Sequence, residues 1–178
     1  MSAQPIHLRC HPDHPASGVD SLEVLIHQDA GELALTYDLR GQLSQLAIPT
    51  GTGGSRRDEL WKHTCFELFL KDDESNEYIE LNFSPNGDWA AYLFESYRQG
   101  RTDLACAPPQ IATRADDKGL HVSVRMPLTA LDLGTGQVWL GPAAIISSQS
   151  GARSFWALHH PEDNPDFHLT ENFKISLD

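Results

Sequence analysis

No apolar run in the 178-residue chain approaches the roughly 20 residues that a membrane-spanning helix needs. The opening residues, MSAQPIHLRCHPDHP, carry neither the basic start nor the apolar segment of a secretion signal. A soluble, cytoplasmic protein with no membrane role is therefore the expectation. Basic residues are few: 13 Lys and Arg stand against 25 Asp and Glu, a formal net charge of −12. The clustered cations that neutralise phosphates are missing, so neither nucleic acid nor an anionic membrane surface is an expected partner. Cysteine is scarce as well. Cys10, Cys65 and Cys106 are an odd number with no CxxC pair, which argues against a disulfide framework and leaves reduced thiols as the expected state. Sustained helical periodicity is also absent, because no stretch of about 15 residues keeps an apolar repeat near 3.6. Internal repeats and low-complexity segments do not occur.

What remains is period-two alternation, the signature of half-buried strands. Leu22, Val24 and Ile26 alternate with Glu23, Leu25 and His27, and Leu33, Leu35, Tyr37 and Leu39 form a second series beyond the turn Asp29-Ala30-Gly31-Glu32. Residues 111–115 and the series Leu120, Val122, Val124 and Met126 flank the turn Asp116-Asp117-Lys118-Gly119. Further strands are expected over residues 6–11, 42–48, 155–158 and 172–177, and over 138–150 with a break or bulge at Gly141-Pro142. Residues 127–131 allow a single helical turn, with Pro127 at its first position. The glycine-rich residues 49–57 do not form a phosphate loop, since no Gly-Lys-Ser/Thr opens a helix after them; they read as a flexible loop. The pattern predicts an all-β fold, an antiparallel β-sandwich of immunoglobulin-like or jelly-roll type with about ten or more strands. One domain would span residues 1–178, with residues 1–19 a peripheral strand and loop.

The most informative stretch is residues 61–92, WKHTCFELFLKDDESNEYIELNFSPNGDWAAY. It reads as a meander of strands near 64–70, 78–84 and from Trp89 onward. Phe66, Leu68 and Leu70 share one face of the first strand and His63, Cys65, Glu67 and Phe69 the other; Ile79, Leu81 and Phe83 oppose Glu80, Asn82 and Ser84 in the second. If the apolar faces both meet the core, Cys65, Glu67, Glu80 and Asn82 converge on the opposite face. Antiparallel sheets commonly have one wet face, and acids on it ordinarily just meet solvent. The aromatic company of Trp61, Phe69, Trp89 and Tyr92 gives that face a second meaning.

Sugar recognition uses an aromatic ring against the C–H surface of a pyranose, with carboxylates and amides taking its hydroxyls. Candidate ligand-binding residues are Trp61, His63, Glu67, Glu80, Asn82, Trp89 and Tyr92, with His159 and His160 on a Pro-braced loop over residues 159–168 that would form the rim. A non-catalytic module for a carbohydrate or similar small polar ligand, with no catalytic residues, is the leading expectation. In a second reading, His159, His160 and His168 hold a divalent metal, the one cofactor the residues suggest, although their spacing matches no zinc signature and a polar turn-forming loop is the simpler account of them. A metal-dependent or acid/base hydrolase would then use His63, Glu67, Glu80, His159 and His168, the carboxyls requiring a separation of about 5–9 Å. A Cys65–His63 dyad is disfavoured, since residues two apart on a strand splay. In a third reading the exposed sheet docks on a protein partner.

The succession of Trp61, Glu67-Leu68-Phe69-Leu70, an acidic turn, YIELNFSPNGDW over residues 78–89 and MPLTAL over residues 126–131 resembles DOMON-like domains and the related family 9 carbohydrate-binding modules. The resemblance spans residues 20–177. It implies a β-sandwich that binds a sugar or a haem and performs no chemistry itself. Haem-binding relatives ligate iron through Met and His, whereas Met126 here reads as a core residue, so haem is not expected. Sugar-binding relatives hold a terminal sugar between Trp rings. Of Trp61, Trp89, Trp139 and Trp156, the last two are flanked by apolar residues and read as core.

Overall fold

The computed structural model describes residues 4–177. Its first strands are short: β1 (Ile6–His7) and β2 (Arg9–Cys10) are separated by the buried Leu8, and each joins a different sheet. The expected strand over residues 6–11 thus bridges the edges of both. Strands β3 (Val19–Asp29) and β4 (Glu32–Gly41) form the anticipated hairpin, with Ala30 and Gly31 at positive φ of 50° and 80°. Two successive positive φ values turn the chain with the twist that an antiparallel pair demands.

Residues 42–48 do not form the expected strand. Leu43–Gln45 is a 3-10 turn, and only Leu46 makes an isolated bridge, to Ser148. The central meander follows as β5 (Cys65–Asp72), β6 (Tyr78–Phe83) and β7 (Trp89–Phe94), with a short β8 (Thr102–Asp103) at its edge. Strands β9 (Gln110–Ala115) and β10 (Gly119–Pro127) form the second anticipated hairpin, its turn fastened by Asp116 Oδ1, which accepts from the backbone N–H of Lys118 and Gly119 at 2.8 and 3.0 Å. A 3-10 turn at Leu128–Ala130 follows Pro127 as expected. The chain ends with β11 (Val138–Ser147), β12 (Arg153–Ala157) and β13 (Ile175–Leu177).

These strands build two antiparallel sheets. One has the order β1-β3-β4-β10-β9; the other runs β2-β12-β11-β5-β6-β7-β8, with β13 also paired to β11. Strand β11 is not broken at Gly141-Pro142: its register with β5 runs unbroken from Val138 to Ile145. On its other edge β11 pairs β13 over Val138–Leu140 and β12 over Ala143–Ser147. Gly141 and Pro142 fall in the gap between these partners, where a missing N–H costs no ladder hydrogen bond.

The sheets pack through one apolar core. Leu22, Val24, Leu33, Leu35, Tyr37, Leu39, Leu120, Val122, Val124 and Met126 from the first sheet meet Phe66, Leu68, Leu70, Ile79, Leu81, Phe83, Leu140, Ala144 and Ile146 from the second. Tyr37 crosses the interface: its hydroxyl donates to the carbonyl oxygen of Glu67 at 2.6 Å while its ring lies 5.0 Å from that of Phe66. Among the described residues no helix is long and apolar enough to cross a membrane.

Leu68 is fully buried between the sheets, whereas Leu25 on the outside of β3 is 37% exposed. Leu68→Ala is expected to cost about 2–5 kcal/mol in urea unfolding through lost burial and a residual cavity, and Leu25→Ala no more than about 0.5 kcal/mol. Equal losses would mean that the two sheets do not enclose the core described.

Candidate functional site

Strand parity brings the polar residues of the meander to one face, away from the core. Glu67 lies opposite Asn82, Phe69 opposite Glu80, and Glu80 opposite Tyr92. That face is not the hydrated surface an antiparallel sheet ordinarily shows. Glu67, Glu80 and Asn82 are 2%, 7% and 0% exposed. A second apolar cluster covers them, comprising Leu60, Cys65, Phe69, Tyr78, Tyr92, Phe94, Ala143, Ile145, Phe167 and Phe173, with Trp61, Trp139 and Phe155 packed alongside.

The cover comes from loops. Residues 158–174 fold back over the sheet, placing Phe167 and Phe173 with ring centres 6.5 and 6.3 Å from Phe69. Gly141 makes the approach feasible, because a Cβ there would meet the carbonyl oxygen of Asn172 at 2.9 Å. Asn172 ties the loop to itself, accepting from His159 N–H at 2.9 Å and donating to Asp166 O at 3.1 Å. Residues 95–101 form a second wall. Asp166 fastens the two walls together by accepting from the Tyr97 hydroxyl and from Arg98 Nη2, the latter at 2.9 Å. Arg98 has a φ of 55°, a left-handed conformation costing roughly 1–2 kcal/mol for a non-glycine residue. Its N–H donation to Tyr78 Oη at 3.0 Å and its hold on Asp166 offset that strain.

Between these walls lies a pocket of about 450 Å³. Glu67, Glu80 and Ile145 belong to its floor, Trp61, Phe94, Phe155 and Phe167 supply apolar wall, and Arg98, Arg101, Pro165 and His168 complete the lining. Arg101 stands over two rings, 4.9 Å from the centre of Tyr92 and 5.7 Å from that of Trp61, a cation–π arrangement that keeps its charge at the mouth.

Burial dominates the electrostatics. It pushes the Glu67 carboxyl well above the ordinary carboxylate range, and the neighbouring Glu80 charge pushes the same way. Burial also raises Glu80, opposed by the hydrogen bond from Asn82 Nδ2 to its Oε1 at 2.8 Å and by the charges of Arg101 and Arg98. Two buried acceptors, Glu67 Oε1 and Asn82 Oδ1, have no hydrogen-bond partner. His168 is lowered to about 4 by burial and by Arg98, with Asp166 opposing. At neutral pH its 3.8 Å contact with Glu80 Oε2 is therefore not an ion pair. Tyr78 Oη accepts from Arg98 N–H, and its own proton is assigned to His168 Nδ1 at 2.8 Å, which leaves the imidazole proton on Nε2, facing Glu80.

Of the residues singled out from the sequence, Trp61, Glu67, Glu80 and His168 line this pocket, while Asn82 and Tyr92 lie in the sheet beneath it. Trp89 does not belong: its parity on β7 sends it into the sandwich core with Trp156. His63 is also elsewhere. Strand β5 begins only at Cys65, so the alternation does not extend to His63, which follows the 3-10 turn Leu60–Lys62 and lines a separate depression with Lys62 and Asp88. His160 turns toward the N-terminal strands, its Nε2 2.7 Å from Arg9 O and its ring against the buried His11. His159 is held by its backbone to Asn172. The metal reading of His159, His160 and His168 is corrected accordingly, since among the described residues no three His, Cys, Asp or Glu side chains converge on a cation site. Cys65 is fully buried, and burial drives its thiol well up, away from nucleophilic use.

Arg98, Arg101, Phe94, Phe155 and Phe167 were not singled out from the sequence. A cue existed in Arg98-Gln99-Gly100-Arg101, two cations within four residues of an acidic chain.

The His168 shift has a sign. The unfolded imidazole binds a proton below about 6.5 and the folded one only below about 4, so stability falls as pH drops through that window. The loss reaches about 3 kcal/mol in total. In urea titrations His168→Phe should flatten this decline; an equally steep decline would mean that His168 takes up its proton as readily in the folded protein as in the unfolded one.

No protein-family model matches the sequence, and no curated protein matches it. Solved structures do match in fold. A candidate carbohydrate-binding protein from Bacteroides uniformis superposes with a TM-score of 0.65 at 15% identity, over 96% of this chain and 83% of that one. A family 9 carbohydrate-binding module from Caldicellulosiruptor kristjanssonii in complex with glucose superposes with a TM-score of 0.54 at 11% identity, covering 91% and 76% of the two chains. The same organism's family 9 module in complex with cellotriose gives 0.54 at 12% identity, covering 91% and 75%. At these identities the likeness is one of fold: the chain is a β-sandwich of the kind seen in family 9 carbohydrate-binding modules.

Proposed function

We propose that the pocket on the outer face of the larger sheet binds a saccharide, and that the chain works as a binding domain without chemistry of its own. The observation that carries this reading is Glu67 Oε1, a fully buried acceptor with no partner, on the floor of an aromatic-walled cavity. Buried polar atoms are nearly always satisfied, so an unpartnered oxygen on a carboxyl whose residue lines a cavity points to a group supplied from outside. Around it stand the two kinds of surface a pyranose presents a need for: rings for its C–H face at Trp61, Phe94, Phe155 and Phe167, and hydrogen-bonding groups at Glu67, Glu80, Arg98 and His168. The volume of about 450 Å³ suits one or two sugar rings. Glucose and cellotriose in the family 9 modules of similar fold support the same ligand class.

Calorimetric titration with glucose, cellotriose and a panel of other neutral sugars tests the proposal, with the fluorescence of the half-buried Trp61 as a second signal. Binding by at least one sugar is expected, and Trp61→Ala should weaken it at least tenfold, about 1.4 kcal/mol. No heat and no fluorescence change with any sugar would overturn the binding reading. Release of free sugar from an oligosaccharide would overturn its non-catalytic part, in favour of Glu67 and Glu80 as an acid/base pair.

A further inference from the structure

The floor of the pocket treats its two carboxyls differently. Glu80 Oε1 accepts from Asn82 Nδ2, and its other oxygen faces the Nε2 side of His168 at 3.8 Å. Glu67 has no such help. Its Oε1 is unpartnered, its neighbour on β11 is Ala143, and its neighbour on β6 is Asn82, which presents a second unpartnered acceptor, Oδ1. Two orphan acceptors from a directly opposed strand pair are a poor arrangement for an anion and a sound one for an acid that has a proton to give.

The surrounding groups point the same way. Cys65 on the same strand and Glu80 diagonally across offer no positive charge. Tyr37, packed from the opposite sheet, spends its hydroxyl proton on the Glu67 backbone carbonyl. Of the cations across the pocket, Arg98 is bound to Asp166, and Arg101 rests on the rings of Tyr92 and Trp61. His168 is neutral.

We propose that Glu67 meets its ligand as an uncharged carboxylic acid beside an anionic Glu80, so that the site is matched to a neutral saccharide bearing two adjacent hydroxyls. One hydroxyl accepts the Glu67 proton, and the other donates to Glu80. The upward push on the Glu67 carboxyl from burial and from Glu80 is consistent with this charge state. An acidic sugar would bring a second negative charge against the buried Glu80, and is selected against. The ligand half of the inference rests on the saccharide reading above; the charge of Glu67 does not.

The test combines spectroscopy with binding. Infrared difference spectra at neutral pH should show the carbonyl stretch of a protonated carboxyl in the wild type and its loss in E67Q. Carboxyl NMR of the glutamate-labelled wild type gives the same answer without any variant, should E67Q fold poorly. Glucose should bind at least tenfold more tightly than glucuronate. Affinity for glucose should hold through neutral pH and fall at least tenfold as the solution becomes alkaline and Glu67 ionises, and that fall should vanish in E67Q whatever its absolute affinity. An ionised Glu67 at neutral pH, or glucuronate bound as well as glucose, overturns the inference. A protonated Glu67 in a protein that binds no sugar upholds its charge and overturns the ligand class.

Discussion

The structure depends on the double burial of the sheet built from β5, β6, β7 and β11. One face of this sheet packs against the other half of the sandwich, as any sandwich requires. The opposite face is covered as well, by loops over residues 95–101 and 158–174 that bring Phe167, Phe173 and His168 against Phe69, Tyr78 and Phe94. Two glutamates and an asparagine lie where water cannot reach them freely. Fully burying an unpaired carboxylate is costly, and the group responds by retaining its proton or by waiting for a partner. At Glu67 burial pushes the carboxyl well up, and its Oε1 has no partner.

Polar contacts tie the walls of the pocket to one another. Asp166 receives Tyr97 and Arg98 from the facing loop, Asn172 joins the two ends of its own loop, and Tyr78 beneath them takes the backbone N–H of Arg98 and reaches His168. A pocket with a frame of this kind is largely pre-formed, so little ordering cost is left for the ligand to offset. Arg98 is held in a strained backbone conformation at the rim, as residues at binding sites often are.

Much of the fold was legible in the chain. Period-two alternation located β3, β4, β5, β6 and β10, and the convergence of Glu67, Glu80 and Asn82 followed from parity alone. Alternation misleads at the ends of strands and in short segments such as residues 42–48. His63 lies before β5 begins, and Trp89, the first residue of β7, shares the core face with its partner Phe83. The expected break at Gly141-Pro142 was a local inference that a nonlocal fact overrode: β11 changes partners there. The roof over the polar face was illegible for a similar reason. Whether residues 158–174 lie across the sheet or out in solvent depends on Gly141 leaving room for Asn172, a contact between distant parts of the chain.

The most direct measurement is a crystal structure of the protein soaked with cellotriose. The account predicts a sugar ring against Trp61, with neighbouring hydroxyls within hydrogen-bond distance of Glu67 and of Glu80 and the Asp166 contacts to the facing loop intact. A sugar bound at another surface, with Glu67 still unpartnered beneath an unoccupied pocket, would contradict it.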